Sequence, residues 1–158
     1  LRLNITVAIF CGIGFAMFVL PISYFHEIGH KVICEAHGGE SRIGPPTNTG
    51  INAICIGSEV DLLLMRFFGG FFGIIGGMIP LAFYKWYKHN PHYLGILAAT
   101  LGVSVAELPK AVLEPLNYDF YASDLGGQIF LIVNVVAIAG FFILFGREKA
   151  VPLTWGNA

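Results

Sequence analysis

Polar side chains are scarce along this chain, and they gather between long apolar runs. The first run, Leu3 to Leu20, is eighteen residues in which only Asn4 and Thr6 are clearly polar. About 20 helical residues cross a bilayer core, so this run predicts a transmembrane helix. It is not read as a secretory leader, because the charged residue before it is Arg2 alone and no small-x-small cleavage pattern follows. Pro21 lacks an N–H and its ring presses on the carbonyl four residues back, so the helix is expected to kink or divide there. The second piece, from Ile22 to about residue 37, should end at Gly38-Gly39.

From Glu40 to Ser58 the pattern changes. Pro45, Pro46, Asn48 and Gly50 signal turns, and Ile51 to Ile56 predicts a short strand. Val60 to Trp86 is the second apolar segment. Within it Gly69, Gly73 and Gly77 recur on one helical face. Such a stripe admits a second helix closely, or, on a sharper reading, opens a seam for a substrate. Pro80 should kink its last turns. The third span, 92–113, is interrupted by Glu107, Pro109 and Lys110 and is expected to reach the surface there. A polar connector, Glu114 to Leu125, leads to the fourth span, 126–145, with Asn134 near its middle, where it is expected to bond a neighbouring helix. The pattern therefore predicts an all-α membrane protein. It is a single transmembrane domain, 1–158, with spans at about 3–20 continuing into 22–37, 60–86, 92–113 and 126–145. A short strand-like loop follows the first helix.

Composition supports this and narrows the function classes. Of 158 residues 56% are hydrophobic and 12% charged, against about 25% charged in soluble domains. The fourteen Phe and twenty Gly suit lipid-facing helices that cross closely. A net charge of −1 leaves no nucleic-acid footprint; the expected surroundings are membrane lipids. Four spans put both termini on one side with Arg2, Lys85, Lys88, Arg147 and Lys149; Lys31, Arg42, Arg66 and Lys110 fall on the other. The basic excess predicts cytoplasmic termini in a multi-pass protein. Cys11 reads as packing, whereas Cys34 and Cys55 can bridge if their side is oxidising.

Within the first helical segment lies His26-Glu27-Ile28-Gly29-His30, the pattern H-E-x-x-H. Residues four apart share a helical face, so both imidazoles can bind one zinc ion while Glu27 serves as general base toward water. Three ionisable groups beside an apolar run are costly unless they have such a use. A catalytic zinc has three protein ligands and an open position. Ala36 stands six residues after His30, where a third histidine would extend the helix motif, so the third ligand must come from elsewhere. The returning region 107–124 leaves Glu107, Glu114, Asp119 and Asp124 open. Asp124 leads, although Ser123-Asp124 before a span also reads as a helix cap.

These features together resemble the site-2-protease family of intramembrane zinc metalloproteases, and most of all its small, compact members. The motif lies at the end of an apolar helix, Gly38-Gly39 follows, then a strand-like stretch with Gly50 and a Gly-rich span; the likeness covers roughly residues 15–130. The family's Asn-Pro-x-x-Asp-Gly signature is absent. The resemblance implies that zinc is held by His26, His30 and Asp124, the last in Ser123-Asp124-Leu125-Gly126-Gly127, with Glu27 catalytic. It also implies hydrolysis of a peptide bond in a transmembrane protein substrate. The alternative is a non-catalytic accessory subunit of a larger membrane enzyme complex that retains the zinc site. There the site is kept for structure or left over, and a closed fourth ligand such as Glu35, His37 or Glu107 would make it structural.

Overall fold

The computed structural model of the chain describes residues 3–45, 51–57 and 61–147. Arg2, Pro46, Asn48, Gly50, Ser58, Val60 and Lys149, invoked above for turns, span limits or charge, lie outside them. Helix α1 spans Ile5–Ala36. It starts at Asn4, whose side chain accepts from the backbone N–H groups of Thr6 (2.9 Å) and Val7 (3.3 Å), occupying donors that the first turn leaves without partners. Pro21 does not divide it: the helix is continuous through that residue. Burial along both halves of α1 holds the two pieces in one rod despite the lost backbone bond. The helix stops as expected. Gly38 takes φ of +80°, and the N–H groups of Gly38 and Gly39 bond the carbonyls of Glu35 and Cys34, which is a Schellman ending.

Two strands follow, β1 (Glu40–Ile43) and β2 (Ala53–Ile56). They pair antiparallel with Glu40 opposite Ile56 and Ile43 opposite Ala53. The strand expected over 51–56 is present, and its partner is the stretch just after the helix. A disulfide between Cys34 and Cys55 clips this hairpin to the end of α1, with Cα atoms 5.9 Å apart.

Helix α2 (Leu62–Met78) opens on Asp61, whose carboxylate accepts from Leu63 N–H. It passes into a 3-10 turn, Ile79–Phe83, at Pro80, and then a single turn, α3 (Tyr84–Tyr87). The hydroxyl of Tyr93 donates to the Pro80 carbonyl at 2.5 Å, tying this altered segment to the next helix. Helix α4 runs from Pro91 to Leu116 after an Asn90 cap. It does not reach the surface at Glu107: it continues through Pro109, and Glu107 is 2% exposed. The interruption expected from the charges is absent because the fold supplies those charges with partners. The region 114–125 is likewise not a plain connector. Glu114 belongs to α4, and a short helix α5 (Tyr118–Tyr121) precedes α6 (Asp124–Gly146).

Among the described residues four helical stretches are long and apolar enough to cross a membrane: Ile5–Ala36, Leu62–Tyr87, Pro91–Leu116 and Asp124–Gly146. The chain thus has the make-up of a multi-pass membrane protein. Helices α1, α2 and α4 pack against one another, and α6 lies mainly on α4. Asn4 N–H bonds the Gly146 carbonyl at 2.9 Å and Leu3 bridges to Arg147, so the start of α1 and the end of α6 share one end of the bundle. The hairpin marks the other end.

The glycine stripe on α2 is buried packing. A Cβ on Gly70 would meet Ala111, one on Gly73 would meet Glu107 and one on Gly77 would meet Ser104 and Thr100. Only hydrogen side chains let the backbones come this close. The Ser104 hydroxyl donates to the Ile74 carbonyl at 2.8 Å, adding a polar tie between α4 and α2. Asn134 donates to the Phe130 carbonyl of its own helix at 3.0 Å rather than to a neighbouring helix.

Candidate metal centre

His26, Glu27 and His30 are buried, and each offers a ligand atom within 4.8 Å of the others'. One turn of α1 puts them on the face turned to α2. There the two helices cross glycine to glycine: a Cβ on Gly29 would strike the Phe68 carbonyl, and one on Gly69 would strike both imidazoles. The rings therefore occupy space that a larger residue at 69 would fill. Their centroids are 4.9 Å apart with planes at 73°.

The Nδ1 atom of each ring is already engaged. His26 Nδ1 lies 2.8 Å from Glu107 Oε2, and His30 Nδ1 lies 2.9 Å from the Met65 carbonyl. A carboxylate and a carbonyl only accept, so each Nδ1 carries the proton, and in a neutral ring Nε2 then presents a lone pair. Both Nε2 atoms face one acid. Glu114 places Oε2 at 3.2 Å from His26 Nε2 and Oε1 at 3.4 Å from His30 Nε2. Glu114 Oε2 is buried and makes no hydrogen bond. Positive charge between the two Nε2 atoms and this carboxylate is favourable, and with neutral rings a cation bound by two imidazoles and one acid would supply it. Orientation of ligating histidines through Nδ1 by carboxylates and carbonyls is the usual outer shell of such sites. The buried His26–Glu27–His30 group can hold a metal ion, and the Glu114 carboxylate lies against both imidazoles.

Glu107 has a second partner. Its Oε1 accepts from Lys110 Nζ at 2.5 Å, so a chain Lys110–Glu107–His26 runs through the interior. Glu107 and Glu114 are seven residues apart and share a face of α4, with His26 spanning the gap between them. Glu27 is held separately. Its Oε2 accepts from Ala53 N–H at 2.6 Å, and its other oxygen has no partner among the described residues. The hairpin thereby fixes the carboxylate of the motif, and the Cys34–Cys55 disulfide fixes the hairpin.

The centre opens on a cavity of about 170 Å³ at the hairpin end, lined by Glu27, His30, Glu114, Arg66, Tyr118 and Tyr121 among others. Burial, and then the carboxylates of Glu114, Glu107 and Glu27, push the Tyr121 phenol well above its ordinary value. It remains a neutral donor.

Of the residues expected from sequence, His26, Glu27 and His30 come together. Asp124 does not join them. It is exposed in the first turn of α6, beside the Ser123 cap that accepts from Gly126 N–H at 3.0 Å. Its negative charge there favours the helix start, and the acid that lies against the two imidazoles is Glu114. Asp119 is also exposed. Neither Glu35 nor His37 closes the site: Glu35 pairs with Lys31, and His37 Nδ1 bonds the Ile33 carbonyl. A signal for Glu114 existed in the spacing Thr100, Ser104, Glu107, Ala111, Glu114, a 4-3-4-3 stripe buried on one face of α4.

No protein-family model matches the chain, and no curated protein or solved structure is significantly similar to it.

Proposed function

We propose that the chain is an intramembrane zinc metalloprotease that hydrolyses a peptide bond of a membrane-embedded substrate, as its resemblance to site-2 proteases implies. His26, His30 and Glu114 would hold the zinc, with Glu114 in place of Asp124. One observation carries the reading: both Nε2 atoms converge on the buried Glu114 carboxylate while both Nδ1 atoms are held from behind. Zinc, when bound, supplies a Lewis acid that polarises a carbonyl and acidifies water.

The chain's own groups do the rest. Glu27 takes a proton from the attacking water on its unengaged oxygen and delivers it to the amine nitrogen as the peptide bond breaks. Ala53 N–H keeps that carboxylate oriented between the two transfers. The Tyr121 hydroxyl, held neutral, donates a hydrogen bond toward charge that develops on the carbonyl oxygen. Helical substrates have their carbonyls occupied, so a scissile segment must unwind. The outer edge of β2, apart from the Ala53 N–H that holds Glu27, would offer it backbone pairing beside the base.

A closed coordination shell would make the site structural, as one form of the accessory-subunit reading has it. Glu35, His37 and Glu107 all have other partners, which favours the catalytic reading. The Cys34–Cys55 disulfide favours an oxidising compartment at the hairpin end, opposite cytoplasmic termini. Glu27→Gln in the detergent-purified chain is the test. Zinc content by plasma mass spectrometry should be unchanged, while cleavage of a helical reporter substrate falls by about 10²–10⁴-fold. Undiminished cleavage by this variant would exclude the mechanism.

A further inference from the structure

Arg66 stands apart from the other basic residues at the hairpin end. Lys31 pairs with Glu35, Arg42 with Glu40 and Lys110 with Glu107. Arg66 has no carboxylate partner and donates no hydrogen bond among the described residues. Its guanidinium lies 3.9 Å from the centroid of the Tyr118 ring. Stacking holds the planar group in place and leaves its N–H edge free. Arg66 and Tyr118 both line the cavity that holds Glu27, His30 and Glu114.

A half-buried guanidinium in a small cavity keeps its charge, and Arg66 has no counter-ion among the described residues. Apart from the zinc that Glu114 would help to hold, Arg66 is the charged donor among the residues lining the cavity that can pair with an anion. The best fit to a guanidinium edge is a carboxylate accepting two parallel N–H bonds. At about 170 Å³ the cavity is below the roughly 300–1,000 Å³ of drug-sized ligand sites. It takes a short stretch of chain, which places the recognised group close to the bond that meets Glu27.

We propose that Arg66, stacked on Tyr118, anchors a substrate carboxylate next to the scissile bond, so that the enzyme selects peptides bearing a carboxylate there. This rests on the protease reading above for its substrate class. The carboxylate has two sources, a free peptide C-terminus or an Asp or Glu side chain. Arg66 is a specificity-determining residue on either.

The test uses the zinc-loaded Glu27→Gln chain in uncharged detergent and fluorescent peptides of one backbone, read by anisotropy. The peptides carry a free or amidated C-terminus and Asp or Asn near it. A carboxylate form should bind about tenfold more tightly than its neutral counterpart, in line with hydrogen bonds to charged groups. Loss of the preference on amidation assigns the terminus, and loss on Asp→Asn assigns the side chain. Arg66→Met should abolish the preference and Arg66→Lys should retain part of it, with zinc content reporting that each variant is folded. Equal affinities, no binding of any peptide, or a preference surviving in Arg66→Met overturns the assignment. An Arg66-dependent preference with no cleavage by the unmutated chain overturns the protease reading instead and leaves the anchor standing.

Discussion

Helices α4 and α6 are neighbours of similar length, and both are apolar enough to span a membrane. They differ in what surrounds them. In the most apolar window of each, 61% of α4 is buried against 11% of α6. Helix α6 turns Leu131, Ile132, Val135, Val136 and Leu144 outward. Helix α4 buries Thr100, Ser104, Glu107 and Glu114. In a lipid-embedded bundle the less apolar helix belongs inside, because protein can satisfy polar groups that hydrocarbon cannot. Chemistry therefore falls to α4, and α6 shields it.

The largest expected effect pits these helices against each other. Glu114→Ala on α4 should abolish zinc binding, because it removes the acid on which both imidazoles converge. Asp124→Ala on α6 should leave zinc content unchanged and cost only a helix-start contribution of about 0.3–1 kcal/mol in thermal unfolding. The reverse outcome would return the third ligand to α6. A smaller effect is expected from Glu107→Gln, which keeps the shape but weakens the hold on His26 Nδ1. Zinc affinity, measured by chelator competition, should fall about 10–100-fold. Smaller again are glycine substitutions. Gly69→Ala places a methyl against His26 and His30, and overpacking of this kind costs about 1–3 kcal/mol. Gly140→Ala on α6 meets nothing within 4 Å. It should be neutral or stabilise by up to about 1 kcal/mol of helix propensity, read as a slight rise in melting temperature.

Much of the fold was legible in one dimension. The four spans, the Gly38-Gly39 stop and the strand near residues 53–56 follow from run length and turn chemistry, which are local. The reading stopped short where charged side chains find their partners, near or far in sequence, only in the folded bundle. Glu107 and Lys110 looked like a break in a span, but each neutralises the other and Glu107 also holds His26, 81 residues away. Asp124 looked like a ligand because it precedes a helix in a suggestive context. The same Ser-Asp pair is a complete account of a helix start. The fixing of Glu27 by Ala53 N–H had no sequence signal, since any non-proline residue presents that group.

By itself, the amino-acid sequence determined that this chain is a bundle of membrane-length helices and that two imidazoles and a carboxylate share one turn of the first, because apolar run length and helical periodicity act within a few residues. Only tertiary structure decided which acid meets those imidazoles and what holds Glu27. It also decided that Arg66 has no counter-ion among the described residues and stacks on Tyr118. These outcomes depend on the crossing of α1, α2 and α4, where glycine contacts set the distance between backbones, and that distance selects the side chains that touch.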